Sequence, residues 1–229
     1  MLKELLLSVV TPVLLLSSLQ AATPMPMIVS HRGESKDAPE NTMAAFRLAV
    51  QRGVGGMECD VYATTDGVPV IMHDESMSRT TGVAAKITEL TADVVTNTAA
   101  TAAWTGSGYQ DEKVPSLAEY LSLLNGSSIK AVIELKSTKN NVVDAVVAAV
   151  RAEPAATKDR VVFISFTAAL VQQVRAALPD YPAWLLASNV ENVPAATLIA
   201  NAKACNATGV DVSGTFDAAY VAAVRNLPT

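Results

Sequence analysis

Short runs of consecutive apolar residues alternate along this chain with longer stretches in which Ala, Leu and Val are interspersed with polar residues. Short, continuously apolar runs are typical of strands buried on both faces, whereas the longer stretches are typical of helices. The predicted strands are residues 27–30, 56–61, 68–72, 129–135, 160–165, 183–186 and 208–212. The predicted helices are residues 42–52, 116–124, 142–151, 168–178, 194–205 and 216–224. This alternation predicts an α/β fold with a parallel sheet, either open or closed into a (β/α)8 barrel.

Capping residues mark the ends of three predicted helices, with Thr167 at the start of the helix over residues 168–178. Asn41 or Thr42 can cap the first helix, and Gly53 follows its last turn. Ser116 precedes the second helix and Glu119 comes three residues later, which is the spacing of a capping box. These signals place the helix ends where the apolar pattern also places them.

Residues 74–114 interrupt the alternation of strands and helices. The segment is rich in Thr, Ala, Asp and Gly, and its apolar periodicity is weak. Connections of this length without strong regular structure are uncommon in compact domains unless they are functional. We therefore expect a small insertion after the third predicted strand.

The N-terminus has the pattern of a secretory signal peptide. Lys3 precedes an apolar stretch at residues 5–16, which leads to the small residues Ala21 and Ala22. An uncleaved membrane anchor is the alternative, but this stretch is shorter than the roughly 20 residues that span a bilayer. We expect a leader at residues 1–22 and a mature domain at residues 23–229. With the leader removed, the domain has no stable membrane span and is secreted or periplasmic.

The composition excludes several classes of protein. Lys and Arg number 17 against 22 Asp and Glu, which gives a net charge of −5 and no basic surface for nucleic acid. Cys59 and Cys205 are too few for a disulfide framework or a cysteine-rich zinc site, and we expect both to be buried free thiols. Any metal must therefore bind oxygen, or oxygen together with histidine.

Charged residues collect at the carboxyl ends of the predicted strands, where barrels and open α/β folds place their functional sites. Burying several carboxylates on one face is costly unless cations compensate, so this grouping predicts a site. Strand alternation puts the two acids of the second strand on one face. The candidates are His31 and Arg32 after the first strand, Glu58 and Asp60 on the second, His73 after the third, and Glu134 and Lys136 at the end of the fourth.

These residue types suit the cleavage of a phosphodiester. Carboxylates without thiolates favour a hard cation such as Mg²⁺ or Ca²⁺. Arg32 and Lys136 would add positive charge for a phosphate, Arg as a bidentate fork and Lys as a point charge. The two histidines can then act as general base and general acid.

The polar residues also form an ordered series of motifs. In chain order they are His31-Arg32-Gly33, Pro39-Glu40-Asn41-Thr42, Glu58-x-Asp60, Asp66-Gly67, His73-Asp74, Arg79-Thr80-Thr81-Gly82, Val114-Pro115-Ser116-Leu117 and Glu134-Leu135-Lys136. This series closely resembles the glycerophosphodiester phosphodiesterase family from Met27 to about Lys136, with a weaker similarity at Ser165-Phe166.

The resemblance implies a TIM-type (β/α)8 barrel whose insertion, residues 74–114 here, shapes access for the substrate. It implies a small-molecule glycerophosphodiester substrate, hydrolysed to sn-glycerol 3-phosphate and an alcohol with the help of a divalent cation, Ca²⁺ or Mg²⁺. The attacking group is either a water or the substrate's own adjacent hydroxyl, and the second route gives a cyclic phosphate. The implied roles are metal binding by Glu58, Asp60 and Glu134, acid/base catalysis by His31 and His73, and phosphate binding by Arg32 and Lys136.

The C-terminal part departs from the family pattern. Seven predicted strands precede the last predicted helix, and the family's eighth strand and its helix have no counterpart. A barrel that lacks a strand exposes two parallel edges, between the seventh strand and the first, and is less stable for it. We expect truncation as the first explanation. The second explanation is an oligomer or partner that covers the open edge. The third is an open barrel of reduced stability.

The sequence leaves two other functions open. One is a truncated, weakly active or inactive barrel that binds phosphodiesters or a partner protein, although the intact acid/base and metal residues argue against it. The other is a phospholipase with a similar two-histidine barrel, of a phospholipase D-like (sphingomyelinase D) or phosphatidylinositol-specific type. The mature chain shows no amphipathic basic face or aromatic stripe for a lipid surface, which disfavours this second alternative.

Overall fold

The structure is a computed structural model that describes residues 26–225. The predicted leader, residues 1–22, lies outside the described residues and stays a prediction. The strands are β1 Val29–Ser30, β2 Gly56–Ala63, β3 Pro69–Ile71, β4 Lys130–Leu135, β5 Val161–Ser165, β6 Ala183–Ala187 and β7 Gly209–Val212. The helices are α1 Met43–Arg52, α2 Ser78–Thr81, α3 Ala92–Thr96, α4 Leu117–Ser122, α5 Val142–Ala152, α6 Ala168–Ala177, α7 Ala195–Ala204 and α8 Ala218–Arg225. Short 3₁₀ turns lie at Ile87–Glu89, Lys139–Asn141 and Val190–Asn192.

A curled parallel sheet in the order β1-β2-β4-β5-β6-β7 forms the centre of the fold. The predicted α/β class is confirmed, and the predicted strands and helices are all present with ends that differ by two residues or fewer. Within residues 26–225, β1 pairs only with β2 and β7 only with β6. The sheet is therefore open between these two strands, as expected, and a partner covering that edge stays a prediction.

The expected orientation of the third strand was wrong. Residues 68–72 were expected to join the parallel sheet, but β3 runs antiparallel to β2, with Val61 paired to Ile71 and Ala63 to Pro69. The cause is the short turn at Asp66-Gly67, where Gly67 has a φ of +76°, because a parallel return needs a crossover of a dozen or more residues. The hairpin carries the chain back along β2, so that β3 ends beside the site end of its neighbour.

The main apolar core lies between the outer face of the sheet and its helices. Met57, Cys59 and Val61 of β2 point into it, alternating with residues of the inner face. Cys59 and Cys205 are both buried and free, as predicted. A smaller apolar cluster of Val132, Val162 and Ile164 covers the inner face, with Trp184 and Leu186 packed against it. The sheet is thus covered on both faces, which accounts for its continuously apolar strands.

The segment 74–114 folds onto the β2–β3 hairpin. It contributes α2 and α3 and a separate buried cluster that includes Met77, Ile87 and Val95 and packs against Val70 of β3. Its weak periodicity follows from the short helices, which bury only one or a few side chains each. The segment is therefore an ordered unit fixed to β3, which ends two residues before His73.

Local capping agrees with the sequence at α1 and α4, whereas the Thr167 side chain accepts no capping hydrogen bond at α6. The Thr42 side chain accepts a hydrogen bond from the Ala45 amide, and Gly53 ends α1 in the left-handed conformation. Ser116 and Glu119 form both hydrogen bonds of the capping box at α4. Among the helices of residues 26–225, none combines the length and apolarity that a bilayer crossing requires.

Gly33→Ala is expected to destabilise the protein more than Gly53→Ala. Both glycines have a positive φ, +72° and +67°, so each alanine adds left-handed strain of roughly 1–2 kcal/mol. A Cβ on Gly33 would also lie 2.7 Å from the Ala45 carbonyl carbon, whereas nothing lies within 4 Å of one on Gly53. This overlap adds about 1–3 kcal/mol to the loss in free energy of unfolding, measured in urea. Equal losses would contradict the close packing of the Gly33 loop against α1.

Candidate active site

Three carboxylates meet on the inner face of the sheet. Glu58 and Asp60 alternate along β2, and Glu134 lies opposite Asp60 in the register with β4. Their exposed fractions are only 6%, 0% and 8%. One oxygen from each of the three lies within 4.8 Å of the others. The predicted grouping of Glu58, Asp60 and Glu134 is therefore present in the structure.

The carboxylate cluster is electrostatically incomplete. Burial, and next the charge of Asp60, raise the pKa of Glu58 to about 8. Burial also raises the pKa of Glu134, against the opposing effect of Lys136. Glu58 Oε1 is buried and accepts no hydrogen bond, whereas the buried Asp60 Oδ1 has the Lys136 ammonium 3.3 Å away. Close hard donors with unused lone pairs are the environment that Mg²⁺ and Ca²⁺ prefer, so these residues fit a divalent cation.

Lys136 and Arg32 lie against this cluster. Lys136 Nζ is 2.9 Å from Glu134 Oε1 and 3.3 Å from Asp60 Oδ1. Although burial opposes it, the two carboxylates raise the pKa of Lys136, so the ammonium stays charged. Arg32 Nε lies 3.6 Å from Asp60 Oδ2, and the Arg32 amide donates to Glu58 Oε2 at 2.8 Å. Both predicted phosphate ligands therefore border the predicted metal site.

The two histidines lie at the rim of the same site. His31 Nε2 is 4.0 Å from Glu58 Oε2, and 69% of the His31 side chain is exposed. Partial burial and the adjacent Arg32 charge lower the pKa of His31. His73 Nδ1 lies 2.7 Å from Asp74 Oδ1, which fixes the orientation of that ring. Since Asp74 stays ionised through hydrogen bonds that lower its pKa despite burial, it can accept a hydrogen bond from a proton on His73 Nδ1, which leaves Nε2 as the other ring nitrogen.

The structure thus brings together all seven candidates named from the sequence, and it adds residues to which the sequence assigned no role in the site. Asn41 Nδ2 donates to Asp60 Oδ2 at 2.8 Å, and Asn41 reaches it from a left-handed backbone with a φ of +56°. Glu40 accepts hydrogen bonds from Arg32 and Arg79. Glu40 and Asn41 both belong to the motif Pro39-Glu40-Asn41-Thr42, which indicates that they matter. No local pattern in the sequence predicts which side chains they contact.

Asp211 was also missed by sequence reasoning. It lies on β7 opposite Leu186, on the inner face, and is half-buried. Burial raises the pKa of Asp211, and the charge of His31 lowers it. The alternation of residues 208–212 was the available signal, since it places Asp211 on the same face as the site carboxylates. Asp211 thus adds negative charge on the β7 side of the open edge.

Comparison with known proteins identifies the family. The model of the glycerophosphoryl diester phosphodiesterase family matches residues 31–226. A glycerophosphodiester phosphodiesterase of Caldanaerobacter subterraneus is 36% identical over 111 residues, covering 48% of this chain and 45% of the relative. Glycerophosphodiester phosphodiesterase 1 of Rattus norvegicus is 44% identical over 93 residues, which cover 40% of this chain and 28% of the relative. The chain thus spans less than half the length of these two relatives.

Solved structures share the fold. A phosphodiesterase of Oleispira antarctica, determined in complex with the product sn-glycerol-3-phosphate, has a TM-score of 0.78 and 27% identity, covering 87% of this chain and 80% of that one. The similarity confirms the TIM-type barrel class expected from the motifs, with an open edge in the part described here. Because the family model covers most of the chain and the site residues keep the family's order, this chain belongs to the glycerophosphoryl diester phosphodiesterase family.

Proposed function

We propose that this chain hydrolyses glycerophosphodiesters to sn-glycerol 3-phosphate and an alcohol, with the help of a divalent cation. The observation that carries the proposal is the closely spaced cluster of three buried carboxylates, bordered by two cationic side chains and two histidines at one edge of the sheet. The sn-glycerol-3-phosphate bound by the Oleispira antarctica relative supports this substrate class.

Arg32 and Lys136 bind the phosphate in this proposal. The Arg32 guanidinium uses Nη1 on Glu40 at 3.1 Å and its buried Nε lies against Asp60, which leaves Nη2 for phosphate oxygens. Lys136 supplies a second charge from the carboxyl end of β4. The two cations approach the carboxylate cluster from β1 and β4, so a phosphate between them would lie directly beside the metal ligands.

Glu58, Asp60 and Glu134 would hold the cation, Ca²⁺ or Mg²⁺. When bound, it supplies positive charge that polarises the phosphoryl group and stabilises charge developing on its oxygens. The protein fixes the three donors by burial, by the Asn41 hydrogen bond to Asp60 and by the Arg32 amide on Glu58. Such hydrogen bonds from neighbouring residues orient metal ligands and maintain affinity.

His31 and His73 move the protons. Since its pKa is lowered, His31 is neutral near pH 7 and can accept a proton at Nε2. His73, held by Asp74 at Nδ1, starts the step doubly protonated, delivers its Nε2 proton to the leaving alcohol oxygen and ends as the neutral Nδ1–H ring. Proton exchange with solvent then returns both histidines to their starting forms. The proton taken by His31 comes from a water or from the adjacent glycerol hydroxyl. The second route forms a cyclic phosphate that ³¹P NMR would detect during turnover.

Export of the protein is part of the proposal. The leader pattern at residues 1–22 supports a secreted or periplasmic location. Mass spectrometry of the exported protein is expected to find an N-terminus at Ala22 or Thr23. Recovery of the intact N-terminus in the membrane fraction would indicate an anchor instead.

Replacing either histidine is expected to lower kcat/KM for glycerophosphocholine by roughly 100- to 10,000-fold, the usual contribution of acid/base catalysis. A substrate with a nitrophenol leaving group separates the two roles, because nitrophenolate departs without protonation. His73→Ala should therefore lose much less activity on the nitrophenyl ester, whereas His31→Ala should lose activity on both. Near wild-type turnover of either variant on glycerophosphocholine would contradict the acid/base roles of the two histidines.

The same assay tests the alternative of an inactive barrel. A wild-type protein that binds phosphodiesters but does not hydrolyse them would favour that alternative.

Chelation is expected to abolish hydrolysis and to leave a protein whose stability falls as the pH rises from about 4.5 to about 8. Folding raises the pKa of Glu58 from 4.5 to about 8, so the folded state holds a proton that the unfolded chain releases. The contribution of this proton to the free energy of unfolding is complete below the pKa that Glu58 has in the unfolded chain. It is lost as the pH rises through the pKa that Glu58 has in the folded protein. Ca²⁺ or Mg²⁺ binds ionised carboxylates and should raise the Tm most at the upper end of this range.

Glu58→Gln is the control for this effect. It should flatten the dependence of Tm on pH in EDTA and reduce the shift caused by added cation, both measured by calorimetry. A cation-induced shift that is equal in Glu58→Gln and wild type would exclude Glu58 as a ligand.

A further inference from the structure

A continuous line of charge-assisted hydrogen bonds connects the two sides of the site. His73 Nδ1 lies 2.7 Å from Asp74 Oδ1, and Arg79 Nε donates to Asp74 Oδ2 at 2.6 Å. The Arg79 fork donates through Nη1 and Nη2 to both oxygens of Glu40, each at 2.8 Å. Glu40 Oε1 also accepts from Arg32 Nη1 at 3.1 Å. Three of the five N–H donors of Arg79 thus hold two carboxylates.

We propose that Arg79 is a positioning residue that fixes His73 through Asp74 and Arg32 through Glu40. The inference rests on the proposed function, because it assigns His73 to proton transfer and Arg32 to phosphate binding. Arg79 contacts the two carboxylates and acts through them. It thereby sets the distance between the group that protonates the leaving oxygen and the group that binds the phosphate.

The segment 74–114 holds Arg79 in place. Arg79 lies on α2, whose last turn ends at Gly82 in the left-handed conformation. Thr80, the next residue, is buried, and its carbonyl accepts a hydrogen bond from Ala102. Thr81 Oγ1 donates to the carbonyl of the fully buried Met77. The motif Arg79-Thr80-Thr81-Gly82 thus anchors the helix on one side and presents the guanidinium on the other.

An arginine suits this position better than a lysine. Its planar fork can bind Glu40 through two parallel hydrogen bonds while Nε reaches Asp74, whereas an ammonium offers a single point charge. The hydrogen bond from Arg79 is the main cause that lowers the pKa of Glu40, so this carboxylate stays ionised and can hold Arg32.

Stability and activity should respond differently to the loss of Arg79. Its side chain is 42% exposed, and ion pairs this exposed contribute little to folding. Misplacing a reacting group by about 1 Å can nevertheless cost on the order of 100-fold in rate. Replacing a residue that serves folding alone would lower the stability and leave the turnover of the folded protein unchanged.

The test compares Arg79→Ala and Arg79→Lys with wild type in hydrolysis of glycerophosphocholine. We expect Arg79→Ala to lower kcat/KM by about 10- to 100-fold, with little change in Tm and with little recovery in Arg79→Lys. Arg175→Ala is the matched control. Arg175 is a half-buried arginine in the last turn of α6 that donates to the carbonyls of Tyr181 and Asn206, and its loss should leave turnover unchanged. Activity of Arg79→Ala within about twofold of an active wild type would overturn the inference.

A double-mutant cycle shows whether Arg79 acts through its carboxylates. In an Asp74→Asn, Glu40→Gln background, Arg79→Ala should cost far less than it does alone, because the groups that it positions are already released. Independent, multiplicative losses would show that Arg79 acts by another route.

A spectroscopic readout separates this inference from the proposed function. The chain has two histidines, so ¹⁵N-labelled histidine gives two pairs of imidazole signals, Nδ1 and Nε2 of each ring, which His31→Gln assigns. At a pH at which the rings are neutral, His73 should be protonated at Nδ1 in wild type and shift toward the Nε2-protonated form in Arg79→Ala, but not in Arg175→Ala. An unchanged His73 signal in Arg79→Ala would overturn the inference whether or not the wild type hydrolyses the substrate. An inactive wild type with the expected shift would overturn only the proposed function.

Discussion

Three carboxylates buried on the inner face of a sheet impose a charge balance that the rest of the site satisfies. Glu58, Asp60 and Glu134 have oxygens within 4.8 Å of one another, and removing such groups from water is unfavourable without positive charge nearby. Lys136 and Arg32 supply part of that charge. In the proposed function, a divalent cation supplies the rest, so that Lys136 and Arg32 can direct their charge toward a phosphate. One constraint thereby links metal affinity, substrate binding and the raised pKa of Glu58.

The fold brings these groups together because parallel strands end at the same edge. β2 and β4 are neighbours in exact register, so Asp60 and Glu134 face each other, and β1 beside β2 carries Arg32 into the same group. The antiparallel β3 has a different use. Its hairpin returns the chain along β2 and leaves His73 and the segment 74–114 at the site end, where Arg79 can reach both Asp74 and Glu40.

Local patterns were sufficient to predict most of the fold and the chemistry of the site. Apolar runs located the strands, capping residues located the ends of α1 and α4, and strand alternation put Glu58 and Asp60 on one face. The apolar run of β3 taken alone predicts a strand of the parallel sheet, which is wrong. The short Asp66-Gly67 turn before it permits only an antiparallel hairpin. Arg79 and Glu40 are 39 positions apart. Their pairing depends on how the segment 74–114 packs on the hairpin, a tertiary arrangement that no local period encodes.

The two histidines depend on the protein in different ways. His73 is held by Asp74 and, through it, by the segment 74–114, which has its own buried core. His31 follows the edge strand β1, 69% of its side chain is exposed, and its contact with Glu58 is 4.0 Å long. The half-buried Asp211 lies on the inner face of the opposite edge strand, β7, where positive charge on His31 lowers the pKa of Asp211. Anything that pairs with β1 would bury His31, strengthen its interactions with Glu58 and Asp211, and narrow the site. The position of His73 is therefore set within the described fold, whereas that of His31 is sensitive to whatever occupies the open edge of the sheet.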